Sequence, residues 1–339
     1  MTLFWREIGS EFWSQYEATN RQHKKNEAIL LSGRTALKFI IDDIYHRKKV
    51  HKVLMPSYCC DSMIVPFIQS DIKVSFYPVH QDAIEIPEEH DADIVFLIDY
   101  FGYCLKQNSF VASREKQKGR IIIYDSTHKL DGNPMVETYA DYSFCSYRKW
   151  FFCNYANAIR HNGVFENACK PKSNEAYVRL RNDAAYEKSK YITGIIGNKE
   201  EFLAKFRTAE ELLDTDYIGY LGTPVNFDMQ EIISRRRENA DFLLTALNDI
   251  PQLKPWRSEL QPEDTPLFVP ILLDPKIRDE LRRYLISKQI YCPIHWPRTS
   301  HQTMDNELYD TALSLICDQR YDMTDMARMV DVIKDFFNK

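Results

Sequence analysis

Glycine is scarce in this sequence: there are only 10 in 339 residues, and no Gly-x-Gly-x-x-Gly motif follows any apolar run. That motif forms the turn on which dinucleotide-binding folds hold a pyrophosphate, so its absence argues against a nicotinamide enzyme. The 9 histidines and 8 cysteines show no metal-ligand spacing and no Cys-x-x-Cys pair. This argues against metal-dependent hydrolysis and against a zinc site, and scattered cysteines fit a reducing compartment.

An excess of charge of either sign and long apolar runs are also missing. The formal net charge is −5 with both signs interspersed, so neither nucleic acid nor an anionic membrane is indicated as a partner. The longest apolar runs are about five residues, far below the roughly 20 that span a bilayer. The stretch MTLFWREIGSEFW predicts an amphipathic helix within residues 1–25 rather than a signal peptide. We therefore expect a cytoplasmic protein.

Apolar runs and helical patterns alternate through the first part of the chain. Residues 33–44 have apolar positions at helical spacing behind a donor-rich N-terminus. The alternation predicts βα units around a mostly parallel sheet, which binds ligands beyond the carboxyl ends of its strands. The predicted strands lie within residues 52–60, 74–79, 93–102, 120–128 and 142–147.

The last third of the chain has a different pattern. Its helical stripes and single strong strand predict a compact α+β unit. The pattern changes near residue 230, which predicts a large domain over 1–230 and a small C-terminal domain over 231–339. Helices are predicted at 231–247, 279–290 and 323–337, and a strand at 266–274.

Polar side chains that could carry chemistry follow two of the predicted strands. Asp125 and His128 come just past one strand, and Lys149 follows the next, ahead of a run of aromatic residues. A lysine in this position either extends its ammonium to water or sits in a pocket where it can lose its proton. Because the two loops would lie at the same edge of the sheet, these residues could meet at one site.

Several short blocks follow one another in a fixed order along the chain. They are SGRTAL (32–37), VLMPSY (53–58), YFG (100–102), IIIYDSTH (121–128), DYSFCSYRK (141–149), YCPIHWP (291–297) and LSLICDQRYDMTDM (313–326). In content and order they resemble the DegT/DnrJ/EryC1/StrS family of fold-type I pyridoxal-phosphate enzymes, best known as sugar aminotransferases. The resemblance spans nearly the whole chain and implies the α/β fold of that family, with a large cofactor-binding domain and a smaller C-terminal one.

The resemblance implies specific roles around pyridoxal 5′-phosphate. Lys149 would form the Schiff base with the cofactor aldehyde and later move protons at the substrate carbon, which requires a neutral amine. Asp125 would keep the pyridine nitrogen protonated, and His128 would lie near the ring hydroxyl. An aspartate that caps a turn and a loop histidine that bonds to the backbone are the alternative interpretations of these two residues.

The remaining implied contacts involve the phosphate group, the cofactor ring and the substrate. Gly33, Arg34 and Thr35 resemble the turn that receives the phosphate at a helix N-terminus, and Ser143 resembles the serine that completes this cup. An ordinary helix cap and an ordinary strand hydroxyl are the alternatives. Cys60 stands where the family has an aromatic ring stacked on the cofactor, and His295 resembles a residue near the substrate mouth.

The sequence also departs from the family after the lysine. Asn157 and Ala158 replace the usual pair of glycines, which restricts the backbone there, and residues 160–225 match the family poorly. These departures, with Cys60, motivate a second hypothesis: a binding or regulatory protein that has kept the fold and lost turnover.

The leading hypothesis is transfer of an amino group from glutamate to a nucleotide-linked keto-sugar in surface polysaccharide or related sugar biosynthesis. A cofactor-dependent sugar dehydratase is an alternative, but relatives of that kind carry histidine in place of the lysine, so Lys149 argues against it. The family resemblance further implies a homodimer with the active site at the interface.

Overall fold

The structure is a computed structural model that describes residues 7–13, 18–20, 22, 24–166, 174–195, 197–215 and 225–338. Its strands are β1 (Ile8–Gly9), β2 (Ala18–Asn20), β3 (Glu27–Leu30), β4 (Lys52–Pro56), β5 (Lys73–Tyr77), β6 (Val79–His80), β7 (Ala83–Ile84), β8 (Ile94–Ile98), β9 (Ile121–Asp125), β10 (Tyr142–Ser146), β11 (Ala156–Arg160), β12 (Val225–Phe227), β13 (Lys254–Pro255), β14 (Val269–Leu272), β15 (Ile290–Tyr291) and β16 (Ala312–Leu315). Its α-helices are α1 (Gly33–Arg47), α2 (Asp61–Ile68), α3 (Lys106–Gln117), α4 (Pro134–Glu137), α5 (Glu175–Ile192), α6 (Glu200–Thr215), α7 (Met229–Leu247), α8 (Pro275–Ser287), α9 (Leu308–Thr311) and α10 (Met323–Phe337).

A seven-stranded sheet forms the centre of the fold, in the order β3-β11-β10-β9-β8-β4-β5. The neighbours from β10 to β5 pair in parallel, whereas β11 runs antiparallel to both of its neighbours. The mostly parallel sheet and the strands predicted within it are confirmed. In β8 every side chain is buried, as expected for a strand that is covered on both faces.

Helix α1 packs against β3, β10 and β11 of the sheet, and its N-terminus lies beside Ser146 at the carboxyl end of β10. Its N-terminus is fixed by a capping box, in which the side chains of Ser32 and Thr35 each accept a hydrogen bond from the other residue's backbone N–H. Its apolar stripe, which includes Leu37, Ile40 and Ile41, is fully buried in the core that the sheet shares. The predicted helix over 33–44 is therefore confirmed.

A second hydrophobic core lies in the C-terminal part of the chain. It joins α7, α8 and α10 to the antiparallel sheet β13-β14-β16. The elements predicted there are all present, but Trp256 and Trp296 pack into the first core instead. The domain boundary near residue 230 stays a prediction.

The prediction of an N-terminal helix is wrong for the residues described there. Strand β1 pairs in parallel with β15, and β2 pairs antiparallel with β12. Ile8 is fully buried in the second core, so pairing with a distant strand outweighs the local helical pattern. Residues 1–6, 14–17, 21 and 23 of the predicted helix lie outside the described residues.

Within the described part of the chain, no helix is long and apolar enough to cross a membrane.

Candidate active site

Asp125 ends strand β9 at the carboxyl edge of the sheet, and its carboxylate is almost completely buried. The backbone N–H of Thr127 donates to Asp125 Oδ1 over 2.8 Å. Among the described residues no basic side chain forms an ion pair with Asp125. Burial raises the pKa of Asp125 to about 6. A buried carboxylate of this kind would be stabilised by a cationic partner.

Lys149 follows β10 in a short 3-10 turn and projects into a cavity of about 310 Å³ that Asp125 also lines. Enclosure of the amine by the cavity walls, followed by the adjacent Arg148 guanidinium, lowers the pKa of Lys149. The aromatic residues that follow Lys149 do not cover it: Trp150 and Phe151 pack into a separate cluster, while the lysine side chain is exposed in the cavity. The amine is thus both reachable and easier to deprotonate.

His128 lines the same cavity as a neutral imidazole. Burial, followed by the charge of Lys149, lowers its pKa to about 3. The backbone N–H of Phe101 donates to His128 Nδ1 over 3.2 Å, so the ring proton of the neutral form lies on Nε2. His128 can therefore donate one hydrogen bond through Nε2.

The N-terminus of α1 forms the opposite part of this cavity. Gly33 and Arg34 line it together with Phe144 and Ser146 at the end of β10. A side chain at position 33 would place its Cβ only 3.2 Å from Ser146 Cβ, so glycine permits this close approach. The first turn of the helix therefore faces the cavity with its backbone amides and its positive dipole end.

Two of the predicted phosphate contacts do not line the cavity. The hydroxyl of Thr35 is used in the capping box, where it donates to the Ser32 carbonyl over 2.9 Å. Ser143 lies on the opposite face of β10 from Phe144, because successive strand residues alternate in direction, and its Oγ lies 2.9 Å from His161 Nε2. The strand hydroxyl that does reach the cavity is Ser146.

Cys60 and His295 both lie near Lys149, on different sides. Cys60 lines the cavity with Lys149, and its Sγ lies 2.8 Å from Ser62 Oγ. His295 lines a second cavity, of about 270 Å³, which also borders Lys149. Its Nδ1 lies 2.9 Å from Ser314 Oγ, and burial lowers its pKa well below the usual value.

The second cavity is rich in arginine. Arg148, Arg236 and Arg320 line it with Lys149, as do the carboxylates of Glu11 and Asp318. Glu210 forms an ion pair with Arg148. Asp318 is held by both ends of the Arg320 guanidinium, at 2.8 and 2.7 Å.

Arg236 has no carboxylate partner among the described residues, although it is almost fully buried. Its Nε donates to Gln319 Oε1 over 2.8 Å, one terminal nitrogen donates to the Leu267 carbonyl over 2.9 Å, and the guanidinium lies 4.5 Å from the centre of the Trp150 ring. The Arg236 guanidinium is therefore a positive charge beside the second cavity that no carboxylate of the described residues pairs with, which suits an anion.

Asn157 replaces a glycine expected from the family resemblance, and its side chain bonds to two neighbouring strands. It accepts from the Cys145 N–H over 3.2 Å and donates to Glu27 Oε1 over 3.1 Å. The departure at this position thus links β10, β11 and β3.

This architecture occurs in other solved structures, whereas the sequence has no match among known families. No protein-family profile and no curated protein sequence matches this chain. Helicobacter pylori PseC, an aminotransferase involved in the biosynthesis of pseudoaminic acid, matches in structure with a TM-score of 0.68 and 12% identity, over 98% of this chain and 100% of that chain. The fold is that of the fold-type I aminotransferases.

Two further structures support this assignment of the fold. Bacillus subtilis NtdA, with bound cofactor PMP, matches with a TM-score of 0.63 and 12% identity, over 94% of this chain and 74% of that chain. DesI, in the presence of its TDP-sugar product, matches with a TM-score of 0.60 and 13% identity, over 91% and 79%. At this level of identity the likeness shows the fold alone.

The sequence analysis did not predict several of the residues that line the two cavities. Arg236 and Arg320 reach the cavities through long-range contacts, although Arg320 lies within the block LSLICDQRYDMTDM. Trp296 directly follows His295 in YCPIHWP and could have been found by its position. Ser146 could have been found by the alternation of β10 once Phe144 was assigned to the cavity face.

Proposed function

We propose that this protein is a pyridoxal-phosphate-dependent aminotransferase that transfers an amino group from glutamate to a nucleotide-linked keto-sugar. The supporting observation is that Lys149, Asp125 and His128 line one cavity beyond the carboxyl edge of the sheet. A buried carboxylate without a cation, a neutral imidazole and an accessible amine with lowered pKa match the donor set that the cofactor requires. The residues of the cavity therefore fit pyridoxal phosphate.

When bound, pyridoxal phosphate supplies an aldehyde that reacts with amines and a ring that withdraws electrons from the adjacent carbon. The residues of this chain would hold and orient it. Lys149 would offer the amine and then accept or donate the proton at the substrate carbon, Asp125 would keep the ring nitrogen protonated, and His128 Nε2 would donate to the ring oxygen. Gly33 and Arg34 would receive the phosphate at the N-terminus of α1.

The second cavity supports an ionised substrate. Its volume of about 270 Å³ is at the small end of ligand cavities, which suits an amino acid better than a whole nucleotide-sugar. The charge of Arg236, which has no carboxylate partner among the described residues, would stabilise a carboxylate beside Lys149. Three parts of the proposal rest on the family resemblance: the keto-sugar acceptor, its use in surface polysaccharide or related sugar biosynthesis, and a homodimer with the active site at its interface. The solved structure of DesI in the presence of its TDP-sugar product is consistent with such an acceptor.

The two serines of β10 make a matched pair for testing the phosphate contact. We expect Ser146→Ala to weaken pyridoxal phosphate binding by about tenfold, because a hydrogen bond to a charged group contributes about 1.5–3 kcal/mol. Ser143→Ala should leave the affinity unchanged, since its hydroxyl faces His161. Titration of the cofactor-free variants with pyridoxal phosphate measures both dissociation constants. Weaker binding in Ser143→Ala alone would place the phosphate on the other face.

The donor half-reaction tests the proposed function without knowledge of the acceptor. Glutamate, added without any sugar, should replace the visible absorption band of the cofactor-loaded protein with the band of pyridoxamine phosphate at shorter wavelength. Stoichiometric 2-oxoglutarate should appear at the same time, measured by mass spectrometry. Adding 2-oxoglutarate to the product should restore the first band.

A loaded protein whose spectrum does not respond to glutamate, glutamine or other common amino donors would contradict transamination. That result would favour the second hypothesis, in which the cofactor is a structural or sensing ligand.

A further inference from the structure

Trp296 is a cavity residue to which neither the sequence nor the proposed reaction assigns a role. Its side chain is 9% exposed and lines the cavity together with Asp125, His128 and Lys149. The chain that carries it follows β15, far in sequence from the strands of the central sheet.

The indole of Trp296 is held in place by aromatic neighbours. It is stacked on the His128 imidazole, with ring centres 5.4 Å apart and an interplanar angle of 22°. The fully buried ring of Tyr58 packs against it at 5.2 Å. The ring of His295 lies perpendicular to it at 5.7 Å. Contacts of this kind fix the orientation of an aromatic side chain at little further entropic cost.

Position 60 cannot provide a ring surface in this cavity. The Cys60 side chain is short and its sulfur contacts Ser62 Oγ. Three aromatic rings line the cavity among the described residues: His128, Phe144 and Trp296. Phe144 lies next to Gly33, where an added Cβ would be 3.5 Å from its ring, and thus belongs to the phosphate end. Trp296 is therefore the large apolar ring at the opposite end of the cavity, the end that His128 lines.

We propose that Trp296 replaces the missing aromatic residue at position 60 and provides the apolar surface for the pyridine ring of the cofactor. This rests on the proposed function, because it takes the cavity to be the pyridoxal phosphate site. Trp296 is a positioning residue: it shields one region of the ring from water and moves no proton. Cofactor affinity consequently depends on a residue from the C-terminal half of the chain.

The test compares substitutions at position 296 that keep or remove the ring. Trp296→Phe should bind pyridoxal phosphate within about threefold of wild type, whereas Trp296→Leu should bind about tenfold more weakly, because aliphatic volume replaces the aromatic surface. Dissociation constants come from titration of the cofactor-free proteins, and thermal unfolding checks that each variant is folded. Equal affinities of the Phe and Leu variants would overturn the proposal.

A rescue experiment separates a ring contact from general damage to the cavity. Adding Cys60→Tyr to the Trp296→Leu variant should restore most of the lost affinity, because a ring is returned to the position that the family resemblance indicates. No recovery would contradict the view that positions 60 and 296 serve the same ring.

Borohydride reduction of the Leu variant at saturating pyridoxal phosphate keeps this inference separate from the proposed function. Label on Lys149 together with unchanged affinity would reject the role of Trp296 and retain the cofactor site. Absence of label in wild type and variant alike would reject both.

Discussion

We expect Lys149→Ala to abolish amino transfer while the protein remains folded. The lysine side chain lies at the boundary of two cavities and forms no ion pair among the described residues, so its removal leaves no buried carboxylate without a partner. Loss of the group that both bonds to the cofactor and moves the proton should lower turnover by at least about 10⁴-fold, as for removal of a catalytic nucleophile or base. The half-reaction with glutamate, followed by absorbance, measures the effect.

Two variants control this experiment. Lys149→Arg keeps a cation at the site but cannot provide a neutral amine, since arginine stays protonated, so it should be as inactive as the alanine variant. Lys106→Ala removes an exposed lysine of α3 and should leave turnover unchanged. Substantial activity in Lys149→Arg would mean that a positive charge at position 149 is sufficient and that no neutral amine is required.

The second large effect is expected for Asp125→Asn. The amide keeps the shape of the side chain and can still accept from the Thr127 N–H, but it cannot hold the ring nitrogen protonated. Turnover should fall on the order of 10²-fold or more, as for the loss of one preorganised electrostatic group, while pyridoxal phosphate still binds. Unchanged turnover would identify Asp125 as a residue that only caps the turn.

The same substitution should stabilise the cofactor-free protein at neutral pH. The pKa of Asp125 is about 6 in the fold against an ordinary value of 3.8, so the folded state binds more protons between these values and stability falls as pH rises through this range. The full effect above pH 6 is about 3 kcal/mol. Asp125→Asn should remove this pH dependence, measured by denaturant unfolding at pH 4 and pH 7.5. An unchanged pH dependence would show that the ionised Asp125 carboxylate is already stabilised in the cofactor-free protein.

The main strands could be predicted because continuous apolar runs of this length, such as Ile94–Ile98, occur in strands that are buried on both faces. The direction of individual side chains could not. Strand β10 is buried at all five positions, so no alternation of polar and apolar residues marks the cavity face, and an offset of one residue exchanges the faces. The family resemblance assigned Ser143 to the cofactor phosphate, and nothing in the pattern of the strand identified Ser146 as the serine that lines the cavity.

Residues that reach the site through long-range contacts were also beyond local patterns. Strand β1 forms by pairing with β15, 282 positions further along the chain at the pair Ile8 and Ile290, and it brings Glu11 to the second cavity. Arg236 lies within helix α7, and an arginine on a helix ordinarily faces solvent. Only the packing of α7 against the loop after β10 makes it a cavity residue.

Reduction of the loaded protein with sodium borohydride, followed by mapping of the modified peptide by mass spectrometry, tests most directly whether Lys149 carries the cofactor. We expect one phosphopyridoxyl group per chain, on Lys149, with loss of the visible band on reduction. A label on Lys129, Lys106 or any other lysine, or no label on protein saturated with pyridoxal phosphate, would contradict it.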